Sequence, residues 1–159
     1  GDEVQIKQPK SKQRVTLRIA SNISRIVFSE TTLAKSGRLF EALSRRDMTA
    51  VRQTLEDEPL VSNVPQIIGS ITNGITPLHL AAESGDAAAT ALLIMFGARV
   101  NAADRRGRTP LHIAAEKGYA EVARLLVERG ADPRRPDASG CTPFELATDP
   151  ALSVYLERR

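Results

Sequence analysis

Two histidines stand 33 residues apart, His79 and His112 (112 − 79 = 33), in a chain of 159 residues that holds no further histidine and one cysteine, Cys141. Imidazole nitrogens bind metals and move protons near neutral pH, and a thiolate beside a base is a nucleophile. Each chemistry needs more than these residues supply. A metal site would need further ligands around two equivalent positions, and no motif provides them. Cys141 has no base near it in sequence, and the adjacent carboxylates Asp57 and Glu58 have no partner motif. No glycine-rich phosphate loop is present. The histidines therefore read as structural imidazoles that hydrogen-bond a Thr-Pro turn, and no catalytic, cofactor-binding or metal-binding residue is expected.

The elements around those histidines recur. Gly74, Gly107 and Gly140 are spaced by 33 (107 − 74 and 140 − 107), and each is followed by Thr-Pro: Thr76-Pro77, Thr109-Pro110 and Thr142-Pro143. Leu78-His79 and Leu111-His112 come next, then Ala81-Ala82 and Ala114-Ala115. Gly107 follows Asp104-Arg105-Arg106 and suits a tight turn with positive φ. Thr109 is placed to cap a helix whose first residue is Pro110, where no N–H is needed. Gly118 is placed to end that helix. Val122, Ala123, Leu125, Leu126 and Val127 give a second helix an apolar stripe. The preceding copy predicts a second helix over Ala87–Phe96. The final copy reads Pro143-Phe144-Glu145-Leu146-Ala147 and closes with a short helix over Ala151–Arg159, as a terminal capping unit should.

A period of 33 carrying T-P-L-H-x-A-A resembles the ankyrin repeat. The resemblance implies an all-α ankyrin-repeat solenoid of about four helix-turn-helix repeats with hairpin tips, and a non-enzymatic scaffold that binds other proteins. A degenerate first copy aligns Leu39-Phe40-Glu41-Ala42-Leu43 with Leu78–Ala82 and Asp47 with Asp86. The offset of 39 (86 − 47) calls for about six inserted residues, and Leu60–Ile71 is expected to hold them as a long loop. Approximate repeats are 35–72, 73–103, 104–136 and 137–159, behind a basic arm over 1–31. The resemblance also implies where a partner binds. Tip residues would be Arg99, Asp104, Arg105, Arg106, Arg108, Arg134, Arg135 and Asp137. Concave helix positions would be Glu83, Ser84, Glu116, Lys117 and Tyr119. Arginines along one rim would favour an acidic or phosphorylated segment, because guanidinium bonds such groups bidentately.

Charge is uneven. Residues 1–28 hold six Lys or Arg against Asp2 and Glu3, a net of +4, so the rest of the chain nets 3 − 4 = −1. The arm could attract a polyanion, but Phe28 is its single aromatic, so it lacks a stacking platform and nucleic acid is not the expected partner. Gly1–Gln13 is polar and reads as disordered. Arg14–Ile19 alternates as a strand does, while Leu17, Ala20, Ile23 and Val27 also fit a helix. Arg25-Ile26-Val27-Phe28 resembles the docking motif of protein phosphatase 1 regulatory subunits, with Ile26 and Phe28 entering two pockets as the segment adds to a sheet edge. Its place before the repeats resembles the myosin phosphatase targeting subunits and the apoptosis-stimulating p53-binding proteins. In those families the first helix follows the motif at once, whereas Ser29–Gly37 intervenes here. The bland reading makes Ile26, Val27 and Phe28 an N-terminal cap over the first repeat.

With one cysteine there is no disulfide framework within the chain, and no apolar run approaches the ~18 residues of a membrane span. A reducing compartment, cytoplasm or nucleus, and a monomer on its own are expected. Gly1 in place of Met suggests an expression scar or an excised fragment of a longer protein. The leading functional reading is an adaptor that recruits protein partners, among them the phosphatase catalytic subunit. The alternatives are a regulatory ankyrin domain of a larger enzyme or channel, and a transcriptional cofactor.

Overall fold

The computed structural model describes residues 14–17, 26–64, 67–68 and 71–159. Its core is a row of antiparallel helix pairs. Helices α1 (Glu30–Ser44) and α2 (Met48–Asp57) form the first pair, α3 (Pro77–Ser84) and α4 (Ala87–Met95) the second, α5 (Pro110–Lys117) and α6 (Ala120–Glu128) the third, and α7 (Pro143–Leu146) and α8 (Pro150–Glu157) the last. First helices stack on first helices, α1 on α3, α3 on α5 and α5 on α7; second helices follow beside them. The expected all-α solenoid is the architecture found.

The repeated residues make the layers thin and dry. Leu39, Leu78 and Leu111 are fully buried at equivalent positions, and so are Ala81, Ala82, Ala114 and Ala115. Small side chains let neighbouring first helices approach, and leucines fill what remains, so apolar area is removed from water at every joint at ~25 cal/mol per Å². Turns between paired helices reverse at a left-handed residue: Gly85 (φ 67) and Gly118 (φ 73) cap α3 and α5. Aspartates restart the chain. Asp47 accepts from the Ala50 N–H and Asp86 from the Ala89 N–H, each satisfying an orphan donor of a second helix.

Several expectations need correction. The segment Ser29–Gly37 is not an intervening stretch, because α1 starts at Glu30 and runs through Gly37. A boundary drawn at 31/32 therefore falls inside that helix. Leu60–Ile71 is not one long loop. Pro59–Asn63 is a 3₁₀ turn that buries Val61 and Ser62, and Val64 behind it is buried too. The Asn63 carboxamide donates to the Gly97 carbonyl (2.8 Å) and accepts from the Arg99 N–H (2.8 Å). Asn101 does the same one unit on, to Gly130 and from Asp132. Asn63 thus stands at the position of Asn101. From Asn63 to Gly74 is 11 residues and from Asn101 to Gly107 is 6, so five extra residues lie in the finger. The sixth lengthens α2, since Asp47 to Asn63 is 16 residues and Asp86 to Asn101 is 15. Within the finger, β3 (Ile67–Ile68) pairs antiparallel with β4 (Ile71–Thr72).

In the arm, β1 (Arg14–Leu17) pairs antiparallel with β2 (Ile26–Ser29), in the register Val15 to Phe28 and Leu17 to Ile26. The alternating reading of Arg14–Leu17 holds over those four residues. Gly1–Gln13, Arg25 and the positions Ala20 and Ile23 lie outside the described residues.

Candidate protein-binding groove

Aspartate builds each finger tip. Asp104 Oδ1 accepts the N–H groups of Arg106 (2.8 Å) and Arg108 (2.9 Å), and the Gly107 N–H closes the turn on the Asp104 carbonyl (2.9 Å). Asp137 repeats this with Ser139, Cys141 and Gly140. Desolvation alone would raise the Asp137 carboxyl, but the Cys141 and Ser139 N–H groups outweigh it and hold it below its ordinary value. Successive tips bond to one another, Arg105 N–H to the Asn73 carbonyl (3.1 Å) and Ala138 N–H to the Arg106 carbonyl (2.8 Å). Gly107 serves twice here: its φ is +70, and a Cβ on it would meet the Ala138 nitrogen at 3.0 Å.

The histidines tie tips to helices. His79 Nδ1 accepts the Thr76 N–H (3.1 Å) and lies 2.8 Å from Thr76 Oγ1. His79 Nε2 lies 2.9 Å from the Arg108 carbonyl of the next finger. A carbonyl only accepts, so Nε2 carries the proton, Nδ1 is the acceptor, and the ring is neutral. His112 repeats the pattern with Thr109 and the Cys141 carbonyl (3.1 Å). Burial lowers both imidazole pKa values from 6.5, against the opposing pull of the Arg108 and Cys141 carbonyls. Both rings spend their two nitrogens on the fold, which is the structural role read from their spacing.

Between the Asp104–Arg108 tip and the inner faces of α3 and α5 lies a groove of about 380 Å³. Asn73, Ile75, His79 and Ile113 contribute to its lining, with Glu83, Glu116 and Lys117 on the helix side and Arg105, Arg106 and Arg108 on the finger side. Arg105 and Arg106 are exposed, as are Glu83, Glu116 and Lys117. Arg108 is different. Its N–H is held by Asp104, its carbonyl by His79, and its guanidinium forms an ion pair with Glu116. Its Nε is buried without a hydrogen-bond partner.

Seven of the expected contact residues thus converge: Glu83, Asp104, Arg105, Arg106, Arg108, Glu116 and Lys117. Others do not reach this groove. Ser84 donates to the Ala81 carbonyl, and its own carbonyl accepts from Arg46 (2.7 Å). Tyr119 lies over Gly85, where an added Cβ would meet the ring at 3.0 Å. Arg99 meets Asn63 through its backbone. Arg135 donates to the Asn101 carbonyl (3.1 Å), and Arg134 reaches the Glu157 carbonyl (3.4 Å). These three arginines follow the second helices α4 and α6 and are not among the residues that line this groove. Ile26 and Phe28 lie in β2. Ile75 and Ile113 were missed by residue type; Ile113 could have been found as the middle residue of Leu-His-x-Ala-Ala, half-buried between two buried neighbours.

The family model for ankyrin repeats, three copies, matches residues 39–137. The chain belongs to the ankyrin-repeat family. A comparison with curated proteins finds no match. Ankyrin repeats generally mediate protein–protein interaction. No helix among the described residues is long and apolar enough to cross a membrane.

Proposed function

We propose that this ankyrin domain is a non-enzymatic adaptor that seats an extended segment of a protein partner in the groove between the Asp104–Arg108 finger and helices α3 and α5. The observation that carries this reading is convergence. Exposed charges of both signs, Glu83, Lys117, Arg105 and Arg106, surround the apolar side chains Ile75 and Ile113 in one concavity. Ligand sites combine apolar lining with a few convergent polar groups in this way. The backbone is held rigid by the tip and histidine bonds, so little ordering is needed on binding. Selection of binding segments from a random peptide library tests it. Peptides selected on the wild-type chain should lose binding to a Glu83→Lys, Lys117→Glu double variant whose thermal midpoint is unchanged. Peptides that bind both proteins equally would remove the groove from consideration.

A second reading concerns the arm. Phosphatase docking needs Arg25–Phe28 extended, and Ile26–Ser29 is a strand with one edge given to Arg14–Leu17, which favours a motif presented by its other edge. On this reading the chain targets protein phosphatase 1, in the cytoplasm or nucleus. Calorimetric titration against the catalytic subunit decides it. Wild type should bind, and Ile26→Ala with Phe28→Ala should lower affinity at least ~100-fold, from two pocket-filling side chains of roughly 1.5–3 kcal/mol each. Absence of wild-type binding ends this reading and leaves the groove untouched.

A further inference from the structure

We infer that the groove recognises an acidic side chain, and that its carboxylate displaces Glu116 from the guanidinium of Arg108. The inference rests on the groove reading above and names the chemistry of its ligand.

Arg108 is the groove arginine whose guanidinium is held in an ion pair, with Glu116. Asp104 and His79 anchor its backbone from both sides. Its side chain is only 21% exposed, whereas the exposed Arg105 and Arg106 project from the tip. A guanidinium offers paired donors, and Nε–H with the adjacent Nη–H is the pair that a carboxylate spans with two oxygens. Glu116 meets only half of that pair. One of its oxygens is bonded to Nη2, and Nε–H is left buried with no acceptor. An unmade bond on a desolvated charged donor is costly to leave. Glu116 reaches Arg108 from a helix position eight residues on. A carboxylate that arrives untethered can seat on both donors at once. The displaced Glu116 is half exposed and returns to water with little loss.

The surroundings favour an acid over a base. Asp104 is already committed to two backbone N–H groups. Arg105, Arg106 and Lys117 border the same space. Glu116 therefore acts as a built-in competitor: it keeps the Arg108 guanidinium positioned in the free protein and sets how strongly an acidic segment must bind to enter.

The test is fluorescence anisotropy of labelled hexaglutamate and hexaglutamine peptides with the full chain, at one low salt concentration. Glu116→Gln removes the competing charge at a half-exposed position without disturbing the backbone. It should tighten hexaglutamate binding by about fivefold or more, the scale that separates charge-assisted from neutral bonds. Glu121→Gln makes the same charge change at an exposed position of α6 outside the groove and should shift affinity much less. Arg108→Lys keeps the charge, loses the fork and should weaken binding in both backgrounds. Equal tightening by Glu116→Gln and Glu121→Gln would make the effect general electrostatics and overturn the proposal. Hexaglutamine binding as well as hexaglutamate would overturn it too. So would a phosphoserine hexapeptide that outcompetes hexaglutamate on Glu116→Gln, because the ligand would then be phosphate. Failure of hexaglutamate to bind any variant also overturns it, while the library selection on Glu83 and Lys117 still judges the groove itself.

Discussion

The joint between the second and third repeats and the joint between the first and second are built on the same core and different edges. Both bury a leucine completely from each first helix, Leu78 against Leu111 and Leu39 against Leu78. Both carry an asparagine bridge, Asn101 in one and Asn63 in the other, and α2 and α4 start on an aspartate cap while α6 starts on Tyr119 without a side-chain cap. They differ in the finger and the turn. At the later joint His79 ties α3 to the Arg108 carbonyl, and Gly118 makes the left-handed turn of the third pair. At the earlier joint Phe40 stands where His79 stands, five extra residues lie in the finger, and Arg46 occupies the left-handed position at φ 56. A reach of the Arg46 guanidinium to the Ser84 carbonyl (2.7 Å) crosses that joint instead. Packing, the asparagine bridge and the Arg46 bond thus stack a repeat without a histidine tether. The Thr-Pro-Leu-His chemistry adds a rigid finger, and the groove lies where that finger is rigid.

Removing core from either joint should cost most. Leu111→Ala should lower stability by about 2–5 kcal/mol in urea unfolding, because Leu111 is fully buried between α3 and α7. Leu39→Ala removes the same side chain from the first pair, which has a stacked neighbour on one side among the described residues. It should loosen α1 and α2 ahead of the rest and broaden the transition, as a nearest-neighbour stack allows. A loss below ~0.5 kcal/mol for Leu111→Ala would refute the repeat register.

Removing a tether should cost less, and only where a tether exists. His112→Ala leaves the Thr109 N–H without its partner, while the Cys141 carbonyl keeps the Asp137 N–H (2.8 Å), and one buried unpaired group costs roughly 1–3 kcal/mol. Glu145 holds the same position in the last repeat. It accepts the Thr142 N–H (2.9 Å) while Thr142 Oγ1 accepts the Glu145 N–H (3.2 Å). No finger follows among the described residues, and Glu145 is exposed. Glu145→Ala should therefore cost under ~1 kcal/mol, the value of a cap. Equal losses for the two variants in thermal unfolding would show that the imidazole's second nitrogen contributes nothing.

The tethers also make the joints respond differently to acid. Burial holds the pKa of His79 and His112 below 6.5 in the folded chain. Below pH 6.5 the unfolded chain takes up protons that the folded chain does not, so stability is full above that value and falls as pH drops through it. The slope approaches ~1.4 kcal/mol per pH unit for each histidine. Urea midpoints should decline from pH 7 to 5.5 in wild type and stay nearly level in a His79→Gln, His112→Gln double variant. Hydrogen-exchange protection factors should fall at Thr76 and Thr109 before they do at Val51, since the first pair carries no histidine. A wild-type curve as flat as the double variant's would mean the folded rings accept protons freely.

The repeated joint was legible because its residues have backbone reasons to recur. Gly107 needs positive φ and close approach, Thr109 and Pro110 open a helix, and His112 closes the cap, so their spacing gave both the fold and the fate of the histidines. Glu145 was legible too: Thr142-x-x-Glu145 is the reciprocal capping pattern, and it went unread. The groove was half legible. Finger and helix positions were correct for Arg105, Arg106, Glu83 and Lys117, yet residue type could not separate them from Arg134 and Arg135, whose side chains turn to nearby carbonyls. The Arg108–Glu116 pair spans a turn and a helix, and no periodicity announces it. The insertion is six residues long as expected but does not fill Leu60–Ile71: Leu60–Asn63 has no helical period to place it, while burial of Val61 and the bonds of Asn63 fix it in register.

The smallest expected effect tests whether Arg46 is a clasp or a compromise. The alignment of Asp47 with Asp86 places Arg46 against Gly85, so a left-handed turn is required where a Cβ is unfavourable by roughly 1–2 kcal/mol. Arg46→Gly removes that strain. It also forfeits an exposed bond to the Ser84 carbonyl, worth well under ~1 kcal/mol at such a site, and adds a glycine's freedom to the unfolded chain at ~0.5–1 kcal/mol. The terms nearly cancel, with a net gain of about 0.5 kcal/mol expected. Arg46→Ala separates them, since it keeps the strain and loses the bond, and should be the least stable of the three. If Arg46→Gly instead lost more than ~1 kcal/mol in urea unfolding, the bond to Ser84 would be the main tie across the first joint, and the degenerate repeat would have replaced its tether rather than done without one.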